Sequence, residues 1–326
     1  MRKSKVPPAP KRLRKPEAER LRTYELLLSY DCNAKCGFCY NPPLTPELLS
    51  QDITLERAAA LMSLARRDGY RGVWFTGGDP SLRADLPQLL LLAKRLGFER
   101  IQIGTNALRL GREAYTRRLV DAGLNFVRIS LHAATAPVHD ELLRLPGSFD
   151  AALQALSHLR RFGAEVGINF VVTARNYREL PAFFRLCLVE LRVPHFDVIF
   201  AHHRGMMEIN AGELGVRHSE VVPYLREAFR FYGSLRGSKG TPNLVNMPPC
   251  LAPELQPWVA DWSSDMPADL LAHPSSESID LQSMKGGQRM KAQSCVKCRW
   301  NDRCLGFEGE YARLYGMEEF VPVQLD

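Results

Sequence analysis

Between Tyr24 and His203 the chain repeats one pattern: a short β-branched or aromatic run, a polar or Gly-rich turn, then a segment with helical apolar spacing. Strand-like runs fall at Tyr24 to Tyr30, Gly72 to Gly77, Arg100 to Asn106, Phe126 to His132, Glu165 to Thr173 and His195 to His203. Helical segments alternate with them at Leu55 to Asp68, Leu86 to Leu96, Arg112 to Ala122, Phe149 to Arg161 and Glu179 to Leu191, and another follows at Glu220 to Tyr232. Strict alternation predicts an α/β fold, a parallel sheet of six strands with helices packed outside it. Asp52 or Thr54 can start the first helix, and Gly123 and Gly163 can end later ones.

After Tyr232 the texture turns rich in Gly, Ser and Pro, and seven prolines from Pro242 to Pro274 break any long periodic element. This predicts three segments: a basic tail over residues 1–22, a βα core over 23–235 and a small C-terminal unit over 236–326. All of the net charge of +7 resides in the tail, which holds nine Lys or Arg against two Glu and carries four prolines. That composition suits an extended, solvated chain, with an acidic leader peptide or nucleic acid as the alternatives for a partner. No run approaches the length of a membrane span, and residues 1–22 lack the apolar stretch of a secretory signal, so a cytoplasmic protein with no membrane partner is expected.

Eight cysteines in a cytoplasmic chain point to metal ligands or catalytic thiols rather than bridges. Cys32, Cys36 and Cys39 form C-x3-C-x2-C at the end of the first strand, where the loops of a parallel βα fold converge over one mouth. Three thiolates on one loop can hold three irons of a [4Fe-4S] cluster and leave the fourth open, whereas a structural zinc site would want a further ligand close by. Cys295, Cys298 and Cys304 form C-x2-C-x5-C, and Cys250 lies upstream. On spacing alone this second set fits a zinc ribbon or an iron-sulfur cluster equally. Cys187 stands among apolar residues of a predicted helix and reads as a core thiol.

The first loop, Cys32-Asn33-Ala34-Lys35-Cys36-Gly37-Phe38-Cys39, resembles the signature of radical S-adenosylmethionine (SAM) enzymes, with aromatic Phe38 before the third cysteine. The resemblance covers residues 22 to 232. It implies a partial (β/α)6 barrel of the TIM type, a [4Fe-4S] cluster whose open iron binds SAM, and reductive cleavage of SAM to a 5′-deoxyadenosyl radical that abstracts a substrate hydrogen. An external reductant such as flavodoxin or ferredoxin is implied with it. Gly77, Gly78 and Asp79 resemble the family's Gly-Gly-Glu motif, which holds the SAM amino group; the acid here is one methylene shorter. Asn106, Ser130 and His132 end strands at the same mouth and can hydrogen-bond a ribose or a carboxylate. Arg144 resembles the cation that pairs with the SAM carboxylate, and Ile168 falls in a stretch resembling the adenine contact. His202, His203 and Arg204 end the sixth strand opposite, where general acid-base work or anion binding is expected of them.

The second cysteine set resembles the auxiliary-cluster extensions called twitch and SPASM. No cysteine follows Cys304, so one auxiliary [4Fe-4S] cluster on Cys250, Cys295, Cys298 and Cys304 is implied. Two substrate classes stand side by side: a ribosomally made peptide, or a small metabolite derived from an amino acid or nucleotide. A non-catalytic, zinc-stabilised protein that binds nucleic acid through its tail is the rival from another class. It leaves the three-cysteine loop unexplained, so nucleic acid is not expected as a partner.

Overall fold

The structure is a computed structural model and describes residues 21–193, 195–235, 240–260, 270–272, 279–280 and 287–324. Nearly all of the basic tail lies outside the described residues. Seven strands form one parallel sheet: β1 (Thr23–Ser29), β2 (Gly72–Gly77), β3 (Arg100–Thr105), β4 (Phe126–Ser130), β5 (Glu165–Val172), β6 (His195–Phe200) and β7 (Thr241–Val245). They lie side by side in chain order, so each crossover returns the chain to the neighbouring position. Beyond β1 the sheet takes up β8 (Leu270–Ala272), parallel to β1, and then β9 (Ile279–Asp280), antiparallel to β8.

The six expected strands are all present, and the sheet adds a seventh. β7 pairs with β6 from His195↔Thr241 to Ile199↔Val245, so the segment expected to open a separate C-terminal unit extends the barrel sheet. Pro242 and the prolines that follow the strand obscured it; Pro242 is tolerated because an edge strand needs fewer ladder donors.

Alternation along each strand sorts the two faces. Val73 and Phe75, Ile101 and Ile103, Val127 and Ile129, Val166, Ile168 and Phe170, and Phe196, Val198 and Phe200 all join the main apolar cluster under the helices. The intervening positions are mostly polar, with Thr76, Gln102, Arg128, Asn169, Asp197 and Asn243 on the opposite face. The helix Leu55–Arg67 starts at Thr54, whose hydroxyl accepts from the Arg57 amide at 3.2 Å. Two helices, Ala136–Leu143 and Ser148–Arg161, span the β4–β5 crossover where one was expected.

The C-terminal residues pack onto the sheet's mouth. A short antiparallel pair, β10 (Arg289–Met290) and β11 (Phe307–Glu308), leads into the helix Gly309–Tyr315. Phe307, Tyr311 and Phe320 make a small core of their own, against which Cys250 and Cys295 rest. Among the described residues no helix is long and apolar enough to cross a membrane.

Candidate active site

β1 ends at Ser29, and the loop that follows carries Cys32, Cys36 and Cys39, all partly buried and none bridged. Neighbours hold its backbone on several sides. The Lys35 amide donates to Leu143 O at 3.0 Å, the Met207 amide to Cys39 O at 3.2 Å, and Asn210 Nδ2 to Gly37 O at 3.0 Å. Gly37 has little room, since a Cβ there would sit 2.7 Å from Leu214 Cδ1. Phe38 anchors the loop in a cluster with Leu142, Leu143, Ala201, Met207 and Leu214. Burial pushes the Cys32 thiol up to about 11 and raises Cys36 and Cys39 as well, and the charges of the three sense one another. All three thiols are held in their protonated form by this burial, so loading a metal on them must release protons. Among the described residues no three His, Cys, Asp or Glu side chains converge closely enough to hold a single metal ion.

The β2 end is pressed against this loop. A Cβ on Gly77 would lie 2.1 Å from Ser29 O and one on Gly78 1.9 Å from Asp31 O, so only glycine fits at either position. Asp79 follows, 3% exposed, with its carboxylate turned inward. Oδ1 accepts from the Ser81 amide at 2.9 Å, Oδ2 accepts from the Asn106 amide at 3.0 Å, and Thr105 Oγ1 lies within 3.0 Å of both oxygens. Burial pushes this carboxyl above its ordinary range against the pull of those donors. Asn106, at the end of β3, extends its side chain to Asn33 Oδ1 in the cysteine loop at 2.7 Å.

The other expected contacts divide. Ser130 ends β4 half-buried, and Arg144 lies exposed beside the loop, its guanidinium close to Gly37 and its charge felt by Cys36. Arg144 takes a left-handed conformation (φ 50°), which ends the preceding helix at the loop. His132 is buried beneath the loop instead of lining its surface. Its Nδ1 accepts from the Val171 amide at 3.0 Å and its ring meets the edge of Phe38 at 4.8 Å. Burial drives its pKa well down, so it stays neutral. Ile168 is a correction: its side chain is fully buried in the core under the helices, on the face away from the polar one, because its strand parity puts it there.

At the β6 end, His202 and His203 part company. His203 is 2% exposed and packs its ring against Tyr311 and Tyr315 at 5.3 and 5.6 Å, and among the described residues neither ring nitrogen has a hydrogen-bond partner. Acid-base work or anion binding was expected of His203, which lies buried against the C-terminal helix. Arg204 is exposed. His202 pairs through Nδ1 with Glu308 of β11, and its Nε2 accepts from Asn246 Nδ2 at 2.8 Å. Arg289 donates to Asn246 Oδ1 at 3.0 Å and closes the network. Burial alone would raise the Glu308 carboxyl, but the His202 hydrogen bond and charge bring it below its ordinary value. Glu308, Asn246 and Asn33 were not expected here; each acts through a partner distant in sequence, and no spacing pattern marks them.

Cys250, Cys295, Cys298 and Cys304 line one cavity, with Lys291 and Phe307 beside them. Burial pushes Cys250 up to about 12, and its three neighbouring thiols add to the effect. Cys187 is fully buried in the main core, as expected of a structural thiol.

Known proteins resemble this chain in sequence and in fold. Residues 26–187 match the family profile described as Radical SAM superfamily. The chain is 33% identical over 182 residues to Fe-coproporphyrin III synthase of Methanosarcina barkeri, which covers 55% of this chain and 44% of that protein. It is 32% identical over 192 residues to a probable GTP 3′,8-cyclase of Saccharolobus solfataricus, covering 57% and 59% respectively. The chain thus spans about half the length of these curated relatives. Streptococcus suis SuiB bound to precursor peptide SuiA superposes with a TM-score of 0.64 at 15% identity, covering 92% of this chain and 74% of that one. Native anSMEcpe with bound AdoMet superposes with a TM-score of 0.60 at 13% identity, covering 91% and 95%. The parallel sheet, the cysteine loop at its first strand end and the family match together make residues 26–187 a radical SAM superfamily domain.

Proposed function

We propose that this chain is a radical SAM enzyme that binds a [4Fe-4S] cluster on Cys32, Cys36 and Cys39 and abstracts hydrogen from a peptide. The observation that carries the reading is the loop: three free, partly buried thiols on one short stretch, fixed by surrounding backbone contacts, at the C-terminal end of β1. When bound, the cluster supplies the electron that cleaves SAM to a 5′-deoxyadenosyl radical. Arg144 supplies a cation beside Cys36 for the SAM carboxylate, and Asn106 and Ser130 offer polar groups at neighbouring strand ends. His202, held by Glu308 and Asn246, is the group at the β6 end suited to moving a proton.

Cys250, Cys295, Cys298 and Cys304 hold an auxiliary [4Fe-4S] cluster in the twitch manner. Their placement around a cavity supports a cluster several ångströms across over a zinc tetrahedron, which needs four sulfurs about 2.3 Å from one centre. Four thiolates saturate such a cluster, so electron transfer or support is its role. A flavodoxin- or ferredoxin-type reductant and a cytoplasmic location go with this reading.

The peptide substrate is supported by likeness of fold to a peptide-bound enzyme over nearly the whole chain. The second reading, a small metabolite, draws on the higher sequence identity to the coproporphyrin and GTP enzymes over the shared half. Anaerobic iron loading followed by dithionite and SAM tests the shared chemistry. Formation of 5′-deoxyadenosine and methionine is expected, and intact SAM after full loading contradicts it.

A further inference from the structure

We propose that Asp79 is a strut that presets the cysteine loop, and that it does not serve as the partner of the SAM amino group. The inference rests on the reading that the loop holds a cluster which binds SAM, and it goes beyond that reading by reassigning the acid. Asp79 stands where a SAM-binding acid was expected, yet 97% of it is buried and each of its oxygens already accepts from neighbouring donors. Ser81 and Asn106 give it two backbone N–H bonds and Thr105 a hydroxyl. These three donors use most of the roughly four acceptor directions of a carboxylate, and a ligand ammonium would have to reach the remaining one through a side chain that is 3% exposed.

Its contacts lead into the cysteine loop along two paths. Through its own backbone, the Asp79 amide donates to Asp31 O at 2.7 Å, next to the Gly78 amide on Ser29 O at 2.7 Å. Through its side chain it fixes the Asn106 backbone, and Asn106 Nδ2 then reaches Asn33 Oδ1 between the first two cysteines at 2.7 Å. The shorter acid suits this duty. With one methylene more, the carboxylate would be carried past the positions at which it now meets Thr105 and Asn106, inside a buried site.

The test compares Asp79→Asn, Asp79→Glu and Asn33→Ala with the parent and with Val127→Ala, a control that loosens the core away from the loop. In the metal-free protein, amide hydrogen exchange at Ser81, Asn106 and residues 31–40 is expected to speed up about tenfold or more in Asp79→Asn, and in the loop alone in Asn33→Ala. In the iron-loaded protein, both variants are expected to release iron to a chelator faster than the parent and to show a broadened electron paramagnetic resonance signal. Val127→Ala lowers the melting point without either change. SAM affinity, read from the shift of that signal on titration with SAM, is expected to fall no further in Asp79→Asn than in Asn33→Ala, and Asp79→Glu is expected to weaken the loop. The proposal is overturned if Asp79→Asn leaves exchange unchanged, if it loses SAM affinity that Asn33→Ala retains, or if Asp79→Glu binds SAM more tightly with exchange unaltered. If the parent itself binds no SAM, the enzyme reading fails, and the exchange arm still judges the strut.

Discussion

His218, at the start of the helix His218–Ser234, stacks on Tyr311 with ring centroids 3.9 Å apart, and the His218 amide donates to the Tyr311 hydroxyl at 2.8 Å. This contact binds the C-terminal segment to the barrel, and Phe200 at the end of β6 closes it from the other side at 4.5 Å.

The contact makes stability dependent on pH. Burial pushes His218 down to about 3 and His139 down to about 4, so both are neutral in the folded chain. Unfolded, each takes a proton near pH 6.5, so between that pH and about 4 the unfolded state binds more protons and stability falls with acid. Each histidine contributes a slope of about 1.4 kcal/mol per pH unit, fully developed below the unfolded value. Urea midpoints of the metal-free protein are expected to drop steadily from pH 7 to pH 5, and His218→Asn to flatten the slope. A midpoint independent of pH over that range contradicts the assignment.

Two glycines of the site should respond differently to alanine. At Gly78 the added Cβ would meet Asp31 O at 1.9 Å, and backbone cannot move aside without dragging the cysteine loop. Gly78→Ala is expected to cost more than about 3 kcal/mol in stability and most of the iron of the first loop. At Gly37 the obstacle is the tip of the Leu214 side chain, 2.7 Å away, which can rotate. Gly37→Ala is expected to cost about 1 kcal/mol and to keep its iron. Chemical denaturation and iron analysis of the two variants check this order, and equal losses would contradict it.

Glu308→Ala leaves His202 without its carboxylate and frees β11 from the β6 end. A loss of about 2 kcal/mol is expected, since a partly buried charged hydrogen bond is broken. Accelerated proteolysis after residue 287 should accompany it, with the iron of the Cys32 loop unchanged. Unaltered protease resistance would show that other contacts hold the segment.

Much of the fold could be read in advance because its signals are local. Ile101 and Ile103, or Val127 and Ile129, alternate as half-buried strands must, and the three cysteines of the first loop stand in one stretch of chain. What escaped depends on contacts between distant residues. Thr241-Pro242-Asn243-Leu244-Val245 becomes a strand because β6 offers it a partner, while its own proline and those that follow it argue against one. Asp79 reads as a ligand until Thr105 and Asn106 are seen to occupy it, and His203 reads as an acid-base group until Tyr311 and Tyr315 enclose it. Glu308 lies more than a hundred residues from the His202 it orients, and no periodicity connects the two.

The two cysteine sets should load independently. Replacing Cys295 and Cys298 by Ala is expected to remove about half of the iron and leave the first loop's signal in place. Iron analysis with electron paramagnetic resonance checks it, and a loss of all iron would mean that the second set is needed to assemble the first.

The central claim, that the Cys32 loop leaves an iron open to SAM, is met most directly by electron-nuclear double resonance of the reduced, iron-loaded protein with SAM isotope-labelled at its amino nitrogen. The account predicts a nitrogen coupling to the cluster that persists in Cys295→Ala/Cys298→Ala and vanishes when Cys32, Cys36 and Cys39 are replaced by Ala. No coupling in the fully loaded parent, or one that survives loss of those three cysteines, would contradict it.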